Sequence, residues 1–185
     1  MSKVWITAIF TTLVLARAVE ARAQQQPITA DVFGSAGVQQ LWDDESSLGV
    51  GVVAGGGVGV TVKHRLMVRG RIVRTSSERD FGNGVVFDAT TTRYTADALW
   101  RFSASDHAAY LGAGVGGLSF TRTSRSPSDP SVFSRSDTDF IFGGIGGVTA
   151  FARGRFAVTP EASFWWSQPN NFIGIEFSVL ASCRF

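Results

Sequence analysis

The last thirteen residues of the chain alternate between apolar and polar side chains, and this alternation constrains the fold more than any other feature. From residue 173 to residue 185, every odd-numbered position is apolar. The even-numbered positions carry glycine, glutamate, serine or arginine, with Leu180 as the single exception. A helix would spread the odd positions around its circumference, whereas a strand places them all on one face. The segment is therefore predicted to be a β-strand with one apolar and one polar face.

The same period of two recurs along the preceding sequence and predicts eight strands in all. The connections between them alternate in length. Three are tight, at residues 63–65, 103–107 and 153–154; two are long and polar, at residues 76–84 and 123–136; and two of intermediate length, at residues 42–46 and 168–171, fall on the same side as the long ones. Short turns at one rim and loops at the other predict an antiparallel up-and-down barrel, and eight strands form the smallest outer-membrane barrels.

Composition indicates which face of the strands points outward. A soluble barrel with its apolar face inward, as in lipocalins, is the alternative architecture. Water-facing surfaces normally carry many lysines and glutamates, but Lys63 is the only lysine after residue 23. Aromatic residues recur near the predicted strand ends, as interfacial girdles require: Trp42, Trp100, Phe102, Phe164, Trp166 and Phe185. The sequence therefore favours an all-β transmembrane barrel with its apolar face toward lipid.

The amino-terminal segment is predicted to be a cleavable signal peptide, residues 1–23, ahead of a barrel domain at residues 24–185. Lys3 precedes thirteen uncharged residues, and Ala21-Arg22-Ala23 places small residues at the positions that a signal peptidase reads. A helix of that length rises about 20 Å, too little for a hydrocarbon core of about 30 Å. Residues 24–185 carry 14 basic and 14 acidic residues, and this neutrality argues against a nucleic-acid partner.

The polar faces of the predicted strands carry charges that would point into the lumen. These residues are Arg69, Arg71, Arg93, Asp97, Glu161 and Glu176. A charge inside so narrow a barrel is unfavourable unless it is paired or hydrated. The interior of eight strands is almost filled by side chains, which favours a structural ion-pair plug over a narrow conduit for solutes. We also expect the glycines of the second strand to leave space for the long arginine side chains.

The sequence offers little support for catalysis, a cofactor or a bound metal. Both histidines, His64 and His107, fall in the tight turns assigned to the periplasmic rim, far from an outer-leaflet substrate. The acidic run Asp43-Asp44-Glu45 is predicted to be a solvated turn rather than a calcium site. Cys183 has no partner for a disulfide. We therefore predict no catalytic, cofactor-binding or metal-binding residues.

Glycine-rich strand pairs carry a family resemblance. Gly55-Gly56-Gly57-Val58-Gly59-Val60-Thr61 is followed by Leu66-Met67-Val68-Arg69-Gly70-Arg71, and a similar run is Tyr110-Leu111-Gly112-Ala113-Gly114-Val115-Gly116-Gly117. With the terminal Phe185, these motifs make most of residues 28–185 resemble the outer membrane protein beta-barrel domain family, whose relatives include OmpX, OmpW and the OmpA transmembrane domain. The resemblance implies a Gram-negative-type outer membrane and a lipid environment. In that family a terminal aromatic residue is part of the signal that the barrel-assembly machinery reads, a role that falls here to Phe185. The chain departs from the pattern at Cys183, where an aromatic residue is often found.

The most specific function that the sequence supports is a class-level one. We expect a non-enzymatic outer-membrane barrel with a filled lumen, whose outer loops mediate contact or envelope integrity. The alternative is a narrow pore or carrier for small or apolar solutes. The oligomeric state stays open.

Overall fold

The computed structural model describes residues 28–42, 47–80, 86–126 and 129–185. The predicted signal peptide, the acidic run at residues 43–45 and three connections lie outside the described residues. The structure contains nine strands in the described part: β1 Ile28–Trp42, β2 Ser47–Val62, β3 Leu66–Asp80, β4 Val86–Arg101, β5 Ala109–Ser126, β6 Asp129–Val148, β7 Phe151–Arg153, β8 Phe156–Gln168 and β9 Ile173–Arg184. Within these ranges no helix is both long and apolar enough to cross a membrane.

The strands close into a barrel. Successive strands pair antiparallel from β1 to β6, β8 pairs with β9, and β1 pairs with β9 from Asp31↔Arg184 to Trp42↔Ile173. β6 and the three-residue β7 both pair with β8 and act as one strand of the wall. The predicted eight-stranded antiparallel up-and-down barrel is confirmed.

A β-bulge separates β6 from β7. The pairing of β6 with β8 ends at Gly147↔Glu161 and resumes at Phe151↔Val158, so three residues oppose two in between. Pro160 lies in that gap and has no N–H to donate to the ladder. A bulge is the usual way for a sheet to accommodate a proline. The interruption thus follows from Pro160.

The two faces of the wall follow the predicted alternation. In β9, Phe177 and Val179 are 60% and 51% exposed, whereas Glu176 between Ile175 and Phe177 is fully buried. The same alternation runs along β8. The exposed side chains are apolar and the buried ones line the lumen, so the assignment of the apolar face to the outside is confirmed.

The two long loops predicted at residues 76–84 and 123–136 are largely strand. β3 continues to Asp80 and β4 resumes at Val86, while β5 and β6 leave only residues 127–128 between them. The hydrophobic alternation that marks a strand in the sequence ends at the membrane boundary, but antiparallel hydrogen bonding continues beyond it between polar, threonine-rich segments. The predicted loops were therefore wrong in extent.

The strands β3 to β6 consequently rise beyond the rest of this rim. β6 pairs with β8 only from Phe140 onward, so all of its ladder partners before Phe140 belong to β5. Eleven residues of strand span about 35 Å. We call the part of β3–β6 that rises beyond the other strands the extension, and the end of the barrel that carries it the outer end. The opposite end, with turns at residues 63–65, 102–108 and 154–155, is the inner rim.

Candidate functional site

The candidate site is the layer of charges across the middle of the lumen. β3 contributes Arg69 and Arg71, β4 contributes Arg93 and Asp97, β8 contributes Glu161 and β9 contributes Glu176. Each of these six residues is at most 4% exposed. Residues two apart on a strand share a face, which places both β3 arginines in the lumen. Three guanidinium groups and three carboxylates make the layer formally neutral.

Glu161 is the centre of this network. Its Oε1 accepts a hydrogen bond from Nη1 of Arg71 at 2.6 Å, and its Oε2 accepts one from Nη1 of Arg69 at 2.7 Å. The hydroxyl of Tyr110 donates to the same Oε2 at 2.6 Å. Arg69 also donates through Nε to Oδ2 of Asp97 at 3.1 Å. One carboxylate therefore joins β3, β5 and β8 across the barrel.

Glu176 forms the second part of the network, nearer the outer end. It accepts a hydrogen bond from Arg93 and lies 3.7 Å from Nη1 of Arg71. In the β8–β9 ladder Glu176 pairs with Ser163, two residues from Glu161. The two glutamates would repel each other if they were alone, and Arg71 lies within ion-pair distance of both. The network is therefore continuous from Arg93 to Asp97.

Aromatic side chains pack against two of the arginines. The guanidinium carbon of Arg93 lies 5.3 Å from the ring centre of Trp165, and that of Arg69 lies 5.2 Å from the ring centre of Phe33. Such stacking stabilises a buried guanidinium electrostatically. Sequence reasoning missed Trp165, Phe33 and Tyr110 as luminal residues. Position parity could have found Trp165, which is odd-numbered like Glu161 in the same strand.

Apolar layers lie on both sides of the charges. Towards the outer end, a buried cluster contains Leu41, Ala89, Leu118, Phe120, Ile141, Trp165 and Phe172. Towards the inner rim, Leu99, Tyr110 and Ile145 form a smaller cluster. These apolar layers lower the polarity around the ion pairs, and attraction between charges is stronger in such a medium. The lumen is thus a packed core with a charged centre.

Glycines on the luminal face provide space for the larger side chains. Gly57 and Gly59 lie in register with Arg71 and Arg69, as the sequence had suggested. A methyl group added at Gly59 would meet the carboxylate of Asp31, however, so this space also serves a residue of β1. At Gly174 an added methyl group would meet the indole of Trp165.

A recess opens at the inner rim and ends at the charged layer. It has a volume of about 560 Å³, including space open to solvent, and Asp31, Arg69, Arg101 and Thr159 are among its lining residues. Next to Arg71 and Arg93 lies a smaller gap with room for about one water molecule.

The remaining predicted residues lie away from the network. His64 is exposed in the turn between β2 and β3, and His107 is exposed at the same rim with Nδ1 3.3 Å from the carbonyl oxygen of Thr149. Phe185 is 69% exposed at that rim, and its backbone exchanges hydrogen bonds with Ala30. Among the described residues no group of three or more histidine, cysteine, aspartate or glutamate side chains could hold a metal ion.

Comparison with known families supports this architecture. The family model for the outer membrane protein beta-barrel domain matches residues 9–185. The match covers nearly the whole chain, including part of the predicted signal peptide. A comparison with curated protein sequences found no match.

Several solved structures share the fold. Ail, the attachment invasion locus protein of Yersinia pestis, solved in complex with the heparin analogue sucrose octasulfate, is 16% identical with a TM-score of 0.62, over 85% of this chain and 98% of Ail. Neisserial surface protein A is 15% identical with a TM-score of 0.64, over 85% of this chain and 97% of its own. OprG from Pseudomonas aeruginosa is 10% identical with a TM-score of 0.53, over 85% and 94%. At these identities the likeness concerns the fold.

Proposed function

Because the chain belongs to the outer membrane protein beta-barrel domain family, we propose that it is a non-conducting surface protein whose extension contacts other molecules. The protein is located in the outer membrane of a Gram-negative-type bacterium. The family and the structural neighbours are outer-membrane barrels, and the proposal assigns this one no enzymatic activity. In this proposal the extension faces the outside of the cell and the inner rim faces the periplasm.

The filled lumen is the observation that carries the proposal. Three ion-paired arginines and three carboxylates cross its middle, and apolar layers lie on either side. A solute would have to separate Glu161 from Arg69 and Arg71, which leaves charges buried and unpaired. Breaking a buried pair in this way costs about 3–5 kcal/mol. A barrel of this kind is suited to presenting its ends rather than to conducting.

The extension supplies the surface that the proposal requires. Before Phe140, β6 pairs with β5 and not with β8, so the β5–β6 pair rises above the β8–β9 side of the wall. Ail is described as an attachment invasion locus protein and NspA as a surface protein. These descriptions apply to those proteins, but they make a role in surface contact a reasonable choice for a chain of the same fold.

Export and assembly complete the proposal. Residues 1–23 act as a signal peptide that is removed on export. Phe185 then presents the terminal aromatic residue to the barrel-assembly machinery, and its exposed side chain at the inner rim is accessible for that contact.

Conductance of the purified, refolded protein in planar lipid bilayers tests the closed lumen. We expect no unitary current steps from the wild type. Glu161→Ala removes the carboxylate that holds Arg69 and Arg71 together, so we expect it to conduct more readily than the wild type. Clear unitary steps from the wild-type protein would refute the plug.

A second variant tests the extension. Residues 122–135 are replaced by Asn-Gly, a two-residue turn that connects Thr121 to Ser136, its partner in the β5–β6 ladder. We expect this variant to insert normally, as judged by heat-modifiable migration in gels, and to lose adhesion of the expressing bacteria to host cells. Unchanged adhesion at equal surface level would contradict the contact role.

The alternative function is a narrow pore or carrier for small or apolar solutes. The recess at the inner rim favours it, because it reaches as far as Arg69 from one side. A carrier without ion conductance would be detected by swelling of liposomes in small uncharged solutes. Swelling by wild type, abolished when the recess is filled by Thr159→Trp, would favour this alternative.

A further inference from the structure

The inner rim carries an excess of positive charge that the proposed function does not use. The rim segments, residues 63–65, 101–108, 153–155 and 184, contain six arginines or lysines and one aspartate. The exposed cations are Lys63, Arg65, Arg153 and Arg155. Arg101 is buried and donates to the carbonyl oxygen of Ser105, and Arg184 lies 3.2 Å from Asp106. Within the described ranges, the four exposed cations have no carboxylate partner.

These cations are spread around the barrel. The β2–β3 turn and the β7–β8 turn lie on opposite sides of the closed wall, and the β4–β5 turn and the β1–β9 seam lie between them. Backbone hydrogen bonds join neighbouring segments, from the N–H of Arg101 to the carbonyl of Arg65 at 2.8 Å and from that of Arg184 to Arg155 at 2.7 Å. The positive charge therefore forms a ring rather than a single patch.

The ring lies next to the aromatic girdle on the lipid side. Phe156 is 66% exposed and pairs with Arg153 in the β7–β8 ladder. Trp100, 48% exposed, pairs with Leu66, which follows Arg65. Exposed aromatic residues mark the interface between hydrocarbon and headgroups. Cations one or two residues away are at the depth of the lipid phosphates, and their side chains can reach the headgroups while their stems stay on apolar surface.

The outer end has the opposite balance. Its segments, residues 43–46, 76–85 and 122–138, carry seven acidic and four basic residues in the sequence. The charge excess is therefore specific to one end of the barrel. An anionic partner would be attracted to the inner rim and repelled by the outer end.

We propose that the inner rim binds the headgroups of anionic phospholipids, such as phosphatidylglycerol, in preference to zwitterionic ones. Guanidinium groups form strong paired hydrogen bonds with phosphate oxygens. An anionic cell-wall polymer is the competing occupant, but it would not require cations at the edge of a lipid-facing girdle. The proposal is independent of the surface-contact role.

Quenching of tryptophan fluorescence by brominated lipid tests this proposal in the refolded, full barrel. In the variant W42F/W166F, Trp100 at the inner rim is the lipid-exposed reporter, because Trp165 is buried in the lumen. In W42F/W100F the reporter is Trp166, near the outer end. Vesicles of phosphatidylcholine contain increasing fractions of brominated phosphatidylglycerol or, in parallel, of brominated phosphatidylcholine.

We expect Trp100 to be quenched at a lower fraction of the anionic lipid, with a preference of about fivefold, the effect of one cation near an anionic surface. Trp166 should show no such preference. Since Arg65 is beside the Trp100 strand and Arg153 is on the far side, K63Q/R65Q should lower the Trp100 preference more than R153Q/R155Q. Salt at about 1 M should weaken it. Heat-modifiable migration verifies that each variant is folded.

Two results would overturn the proposal. Equal quenching of Trp100 by both lipids in the wild-type rim would exclude a preference for anionic headgroups. A preference that survives in both double variants would show that these cations are not its source. If the lipids quench equally but cosedimentation with purified peptidoglycan is lost in K63Q/R65Q and R153Q/R155Q, the rim binds the cell-wall polymer instead.

Discussion

The luminal and lipid-facing sides of the barrel wall use alternate residues of the same strands, yet they obey opposite rules. On β9, Glu176 is buried against Arg93, whereas the next residue, Phe177, is 60% exposed to the surroundings of the barrel. The luminal side tolerates charge because each charge has partners from other strands. The lipid-facing side has no such partners, and its exposed positions from Phe156 to Phe164 on β8 and from Ile173 to Ala181 on β9 are all apolar. A charged side chain is therefore stable in the lumen, where it is paired, and unfavourable on the lipid-facing side, where it would have no partner.

On the luminal side, the largest loss of stability is expected from a substitution of Glu161. Glu161→Gln keeps the shape of the side chain but leaves Arg69 and Arg71 without their shared carboxylate. We expect the free energy of unfolding to fall by about 3–5 kcal/mol. Urea titration of the protein refolded into phospholipid vesicles measures the change.

Glu176→Gln is the matched variant, and its effect should be smaller because Arg71 keeps its close contact with Glu161. A loss below about 0.5 kcal/mol in both variants, as for an exposed ion pair, would rule out a network that stabilises the barrel.

On the lipid-facing side, we expect the largest loss of stability when a charged residue is introduced. Val179→Arg places a guanidinium group in the hydrocarbon, and we expect a loss of about 2–4 kcal/mol near the midplane. Ser182→Arg is the luminal control, because Ser182 lines the recess together with Asp31. We expect that variant to change stability by less than about 1 kcal/mol. If Ser182→Arg were the more damaging of the two, the assignment of the faces would be wrong.

Alanine substitutions at two glycines test how tightly each side of the wall is packed, without adding charge. Gly174→Ala forces a methyl group against the indole of Trp165, and overfilling a packed interior costs about 1–3 kcal/mol. Gly70 faces outward, and an added methyl group there meets no atom within 4 Å. We expect Gly70→Ala to alter the free energy of unfolding by at most about 0.5 kcal/mol. Equal effects in equilibrium unfolding would indicate a loosely packed lumen.

A small thermodynamic effect is also expected at Phe185, where the two sides meet at the inner rim. Phe185→Ala keeps the backbone hydrogen bonds with Ala30, so stability after refolding should change by less than about 1 kcal/mol. In cells, however, the amount of barrel in the outer membrane should fall while signal cleavage continues, as measured by immunoblots of membrane fractions. Phe156→Ala, equally exposed at the same rim, should assemble normally. Comparable assembly defects in both variants would remove the special role of the terminal residue.

The architecture and the membrane orientation of its faces could be predicted from sequence because both depend on local pattern. A period of two places Ile175, Phe177 and Val179 together whatever the strand pairs with. The same parity placed all six charged residues in the lumen. Strand ends at the outer end could not be predicted, since β5 and β6 continue where both faces meet water and the apolar signal has ended.

Tertiary structure alone decided which charges meet. Arg71 and Glu161 are 90 residues apart in sequence, and their contact depends on barrel closure and shear, which no local pattern encodes. The hydrogen bond of Tyr110 to Glu161, the packing of Trp165 against Arg93 and the division of the lumen into charged and apolar layers also follow from closure. The sequence determined which side of the wall each residue faces, because that depends on neighbours two positions away. The closed wall determined what each luminal side chain touches, because those partners come from across the barrel.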